Sequence, residues 1–298
     1  NNQSAFSDSL KKPDNFDKEF GLFKNFKKIK RFKLQGDSPF YGKYILLDKL
    51  ENLVSLENLE DLEIDGLIDQ RKISFPYFPK LKKIELKFSY NAYNVILGKG
   101  EDGNTKIENF SNLPNIESLE LRSLYSDYSP TLIKKVGIDR FSEPQRWHNI
   151  EVNFSDIHEL KKLKELKIFL VKSKDLNKIK ELPSIESLQL FTFQITEELN
   201  PDEGQSAYCP IINEKTFSFL KNSKSLKKIK LSIGHVASME DLWGSFLSTR
   251  YSGNADFLNY ISYNIEELDL TINVEIDKQY LIQDIINNIC NRFLKLKK

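Results

Sequence analysis

At 298 residues, with 44 basic and 43 acidic side chains, the chain carries a formal charge of only +1. That balance argues against a general polyanion binder, and the two cysteines, Cys209 and Cys290, exclude a disulfide framework or a multi-cysteine metal site. Apolar residues at 40%, 12% of the chain being aromatic, are ample for a core and exclude global disorder.

No run reaches the roughly 20 apolar residues that a membrane-spanning helix needs. Scarce cysteine favours a reducing, cytoplasmic setting. The chain opens at Asn1 and its single methionine is Met239, so a cut or a removed targeting segment is expected upstream, which leaves localisation open.

Residues 1–22 are polar, with Pro13 followed by Asp14-Asn-Phe16-Asp-Lys-Glu-Phe20, and they are predicted to form an N-terminal cap opening on a short helix. From residue 23 to residue 298 one pattern recurs. It is clearest where Leu160-Lys-Lys-Leu163-Lys-Glu-Leu166-Lys-Ile168 is followed, 22 residues on, by Leu182-Pro-Ser-Ile185-Glu-Ser-Leu188-Gln-Leu190. Earlier copies are Phe26 to Leu34, Leu56 to Ile64, Phe78 to Leu86 and Leu113 to Leu121. A seventh keeps Leu226, Ile229 and Leu231 with Ser223 at its opening position, and an eighth keeps Ile265, Leu268 and Leu270 with Ser262 there.

An apolar-x-apolar ending reads as a short strand with one buried face, because strand side chains alternate. The two apolar residues before it, three apart, turn the chain into that strand. One such unit cannot bury its own face, so successive strands are predicted to stack into one parallel sheet. The intervening stretches read as helices. Ser173 precedes Leu176 and Ile179, Asn213 precedes Phe217 and Leu220, Asn254 precedes Phe257, Leu258 and Ile261, and Asp277 precedes Tyr280 to Ile289.

The strand anchors fall at 32, 62, 84, 119, 166, 188, 229 and 268, so the spacing is uneven. Twenty-two residues is the bare unit, and insertions are expected near 89–107, 124–156, 194–212 and 234–253. The first contains the turn-rich Gly98-Lys-Gly-Glu-Asp-Gly103, able to tip a hairpin. The second contains Trp147-His-Asn-Ile150-Glu-Val152-Asn-Phe154, whose alternation predicts an extra strand.

Eight copies of this spacing resemble the leucine-rich repeat superfamily. The resemblance implies an α/β solenoid with a parallel β-sheet on one face and helices or loops on the other, and a recognition role. Family members commonly carry an asparagine three residues after the last strand leucine. Here Leu67, Ser89, Leu124, Val171, Phe193 and Gly234 hold that place, and only Asn273 matches.

For chemistry the residues offer little. His148, His158 and His235 show no metal-ligand spacing, and Gly98 to Gly103 lacks the order of a phosphate loop. Asp61, Glu63 and Asp65 read as a solvated acidic stripe on one strand rather than a cation site. Cys209 and Cys290 read as unpaired thiols, Cys290 within the core of the last helix. No catalytic residues, cofactor or metal site is assigned.

The informative feature is the outward face of the sheet. Most of it is charged and the rest polar, except where Phe169 and Val171, then Phe191 and Phe193, take outward places in adjacent repeats. An outward phenylalanine pair marks a binding patch or the floor beneath a folded-over insertion, that of 194–212 first. Phe169, Val171, Phe191 and Phe193 are therefore the partner-binding candidates. The expected function is a non-catalytic module that binds a protein partner through the open face and inserted loops. The alternative is the substrate-recognition region of a larger enzyme. The last residues, Phe293-Leu-Lys-Leu296-Lys-Lys298, match Phe78 to Lys83, so the pattern is expected to stop one residue short of its next anchor.

Overall fold

The computed structural model describes residues 26–35, 47–68, 72–90, 105–124, 150–152, 154–171, 178–192, 214–233, 236–237, 247–248, 255–272 and 279–297. The expected cap at 1–22, the Gly98–Gly103 turn, Cys209, His148, His235 and the whole 194–212 insertion lie outside these residues.

Eight strands form one all-parallel sheet in the order of the chain: β1 (Arg31–Gln35), β2 (Asp61–Ile68), β4 (Lys83–Tyr90), β6 (Ser118–Leu124), β8 (Glu165–Val171), β9 (Ser187–Thr192), β10 (Lys228–Ile233) and β13 (Glu267–Ile272). The register is the one the repeats predict. Phe32, Leu62, Ile84, Leu119, Leu166, Leu188, Ile229 and Leu268 face one another in a single row across the sheet. The class is α/β, with strands far outnumbering helices among the described residues.

Each strand is entered in the same way. The amides of the two residues before the anchor both donate to one carbonyl of the preceding unit. Glu60 and Asp61 bond Lys30 at 2.7 and 3.0 Å, Lys82 and Lys83 bond Glu60 at 2.8 and 3.1 Å, and Glu186 and Ser187 bond Lys164 at 2.8 and 2.9 Å. Lys297 makes the first of these bonds to Glu266 at 2.8 Å, so residues 293–297 repeat the lead-in turn of a further unit, with Phe293 buried.

The segments behind the sheet differ from the expectation. Glu214–Asn222 and Ala255–Tyr260 are 3-10 turns, as is Leu47–Ser55, while Gln279–Arg292 alone among the described residues is an α-helix, α1. Their apolar residues recur every three positions rather than at the 3.6 of an α-helix. Leu47, Leu50, Leu53, Leu56, Leu59 and Leu62 form one unbroken series, and Phe75, Phe78, Leu81 and Ile84 another. A 3-10 helix has three residues per turn and eclipses i with i+3, so this spacing keeps Leu50, Leu53, Leu56, Leu59 and Leu62 on the core side. Of the stretch after Ser173, residues 173–177 lie outside the description, and Ile179 is buried in a segment that is not helical.

A second, three-stranded parallel sheet was not foreseen. It joins β3 (Lys72–Ser74), β5 (Thr105–Glu108) and β7 (Ile150–Val152), with Ile73, Ile107 and Val152 in register. β7 is the extra strand expected in the second insertion. Just after these strands Phe75, Phe110 and Phe154 are fully buried in a ring stack, with centroids 5.4 and 6.2 Å apart. The insertion bounds shift accordingly. Residues 89–90 belong to β4 and 105–107 to β5, Leu124 ends β6, and 234–253 contains a short antiparallel pair, β11 (Val236–Ala237) with β12 (Leu247–Ser248).

The apolar rows of the eight-stranded sheet, Ile107 of the smaller one and the turns between them make one continuous core. Two expectations need correction within it. Ile261, not Ser262, takes the opening core place of the eighth unit, because that unit holds one more residue before Ile265. In the seventh, Ser223 does occupy that place, fully buried, its hydroxyl donating to the Leu182 carbonyl at 3.1 Å. Cys290 is exposed on α1 rather than in the core, since Leu281 and Ile285 supply the helix's buried face.

Candidate functional site

The open face of the eight-stranded sheet is the candidate site, and alternation along each strand places its side chains. Its residues lie beside the buried rows, one before, one after and three after each anchor. From β1 to β8 these rows carry ion pairs, some between neighbouring strands and some along a single strand. Arg31 meets Asp61 at 2.9 Å, and Glu63 receives Lys33 at 2.7 Å and Lys87 at 3.4 Å. Lys87 also meets Glu85 at 2.6 Å. Arg122 donates from Nε and Nη2 to one Glu120 oxygen at 3.1 and 2.8 Å, and Lys167 meets Glu165 at 2.9 Å. Asp61 and Glu63 thus lie on the solvent face, as expected, and are tied there to lysine and arginine of the neighbouring strands.

The electrostatics follow from these contacts. The Lys33 hydrogen bond holds the Glu63 carboxyl below the usual carboxylate range. Burial pushes Glu85 up, but the bond and charge of Lys87 outweigh it, so Glu85 also lies low and Lys87 in turn lies high. Glu165 is likewise raised by burial and lowered further by bonds from the Ser118 hydroxyl, at 2.7 Å, and Lys167. Every one of these groups stays charged near neutral pH.

The ion pairing breaks at β9. Ser187, Gln189 and Phe191 carry no charge, and the pairing resumes only beyond them, with Lys228 to Glu267 at 2.9 Å and Lys230 to Asp269 at 2.7 Å. In the row three past the anchor, Asp65, Lys87 and Arg122 give way to Phe169 and Phe191, then to Ser232 and Thr271. Phe169 and Phe191 are direct register partners, as the repeats predict. Val171 is not opposite Phe193. A register irregularity between Phe169 and Val171 sets Val171 against Thr192, and Phe193 lies outside the described residues. The result is one uncharged strand, β9, between two ionic blocks, with Phe169 of β8 in register beside its Phe191.

Sequence reasoning missed the depth of the centre. Glu120 on β6 faces outward yet is only 7% exposed, whereas Asp269 at the same place on β13 has a side chain 54% exposed. The one available signal was position in the stack, since Glu120 has three strands on one side and four on the other. Among the described residues no group of three or more His, Cys, Asp or Glu is placed to hold a metal, and no helix is long and apolar enough to cross a membrane. Neither a protein-family model nor a curated protein matches this chain.

Proposed function

We propose that the chain is a leucine-rich-repeat-type solenoid acting as a non-catalytic recognition module, which binds a protein partner across the uncharged strand and phenylalanine pair of its open face and through adjoining inserted loops. The observation that carries this reading is the interruption at β8 and β9. Along a face rich in ion pairs, one strand is uncharged and a register pair of phenylalanines follows Lys87 and Arg122 of the strands before it in the same row. An ionic ladder keeps a parallel sheet's open face soluble, and a stripe without it serves as an apolar contact area with a charged rim, the usual anatomy of a protein interface. Aromatic anchors in such a setting carry much of the binding energy.

The test is capture from native extract with the full chain, compared with the chain bearing Phe169→Ser and Phe191→Ser. The reading expects specific proteins to be retained by the first and lost by the second, with both chains melting within a few degrees of each other. An unchanged set of captured proteins would remove this patch from consideration.

A further inference from the structure

Two residues before each strand anchor, at the position whose backbone carbonyl receives the next unit, the side chains alternate in charge without exception. Units one, three, five, seven and the final turn carry Lys30, Lys82, Lys164, Lys227 and Lys297. Units two, four, six and eight carry Glu60, Glu117, Glu186 and Glu266. The uneven spacing of the anchors hides this order in the sequence, and the shared backbone bonding puts these residues in one row.

Side-chain interactions join neighbours along most of the row, and a backbone bond joins Glu186 to Lys227. Glu60 is held from both sides, by Lys30 at 3.1 Å and Lys82 at 2.7 Å. Glu117 is bonded by Lys164 at 2.8 Å and also feels Lys82, while Lys164 feels Glu186 in turn. Lys297 bonds Glu266 at the end of the row, and Glu266 also feels Lys227.

Two residues earlier a second row obeys the same alternation. Acidic units offer Asn58, Asn115 and Ser184, which donate to the carbonyls of Lys27 and Pro79 at 2.6 Å and of Lys161 at 2.7 Å, each in the basic unit before. Basic units answer with lysine. Lys80 donates to Asn58 at 2.6 Å, Lys162 to Asn115 at 2.6 Å and Lys295 to Asn264 at 2.8 Å. Ser225 in the seventh unit is the one departure from this second row.

We propose that the units are of two kinds and that their alternation is a stacking code: the side of a basic unit fits an acidic unit and rejects another basic one. The apolar rows alone cannot supply this. Every unit buries the same leucine pattern, so a unit paired with its second neighbour would satisfy the core equally well. The main row penalises such a skip by setting lysine on lysine or glutamate on glutamate, and the second by setting lysine on lysine or leaving its asparagines without their lysines, which is how closely repeated elements are kept from slipping. The final turn is an internal check. Following an acidic eighth unit it should be basic, and it carries Lys295 and Lys297 in the two coded places.

Two forms of the full chain test the code. In the first, Glu60→Lys, Glu117→Lys, Glu186→Lys and Glu266→Lys make the main row uniformly basic. In the second, those four changes are joined by Lys30→Glu, Lys82→Glu, Lys164→Glu, Lys227→Glu and Lys297→Glu, which inverts every charge but keeps the alternation. Melting is followed at about 0.01 M salt, where charges reach about 30 Å, and at about 1 M, where they reach about 3 Å. The uniform chain is expected to melt at least about 5 °C lower in low salt, or to fail to fold there, and to recover most of the loss in high salt. The inverted chain is expected to melt close to the natural one under both conditions. A uniform chain as stable as the natural one in low salt, or an inverted chain that loses as much as the uniform one, would overturn the proposal.

Discussion

β6 and β13 carry the same pattern in the same register, yet they differ in almost every physical property. On β6 Leu119 is fully buried, Leu121 nearly so, and even the outward Glu120 is 7% exposed. On β13 Leu268, Leu270 and Ile272 are only partly buried, and the outward Asp269 side chain is 54% exposed. The first unit is also only partly buried, at Ile29 and Phe32. Phe26 is 50% exposed at a place where Leu56, Phe78, Leu113, Leu160 and Leu182 are all at 3% or below. Burial therefore belongs to the stack rather than to the motif, and a strand gains it from having a neighbour on each side.

The largest break in that comparison should come from the core rows. Leu119→Ala or Leu166→Ala is expected to cost about 2–5 kcal/mol, the range for truncation in a packed core. Leu268→Ala should cost about half as much, because its site is already partly open. Urea unfolding midpoints check both, and equal losses would show that the last strand is packed like the middle.

The outward row should repeat the contrast on a smaller scale. Glu120→Ala removes both hydrogen bonds it accepts from Arg122 in a nearly dry place, for about 1–3 kcal/mol. Asp269→Ala at the rim should stay within about 0.5 kcal/mol, as should Gln189→Ala.

The smallest effect is the pH dependence of the lead-in row. Lysine hydrogen bonds hold Glu60, Glu117 and Glu266 below the ordinary 4.5 of a glutamate. Their contribution is therefore present above that value and lost as pH falls from it through the folded-state values. Lys82 and Lys164 are raised above 10.5 by the bonds they donate to Glu60 and Glu117, so theirs is present below 10.5 and lost as pH climbs through the raised values. Melting temperature should be flat between these limits and decline beyond both. A slope near neutral pH would point to other groups.

The sheet was legible in the sequence because the two apolar residues of each strand and the two before them repeat at fixed offsets, whatever lies between copies. The rear was less so. The stretches after Asn213 and Asn254 read as helices and are 3-10 turns, because so short a run does not separate three from 3.6 residues per turn. Lys72-Ile73-Ser74 is too short for alternation to declare a strand. At the site, the register of Phe169 with Phe191 followed from equal spacing. The mismatch of Val171 with Thr192 did not, because a local irregularity leaves no trace in apolar pattern. The missing asparagines have a structural counterpart. At the places of Leu67, Ser89, Leu124 and Val171 the chain is still paired as β-strand with its neighbour, so its backbone groups need no side-chain partner there.

The central claim, that units of unequal length align in one parallel register, is tested most directly by a distance across the sheet. Lys83 and Lys228 occupy the same outward row on β4 and β10, four strand spacings apart. With Cys209 and Cys290 changed to serine, nitroxide labels at Lys83→Cys and Lys228→Cys can be measured by pulsed electron spin resonance. The register predicts one narrow distribution near about 19 Å, four steps of about 4.8 Å, broadened only by the label arms. A distribution centred beyond about 30 Å, or two separate populations, would contradict a single continuous sheet.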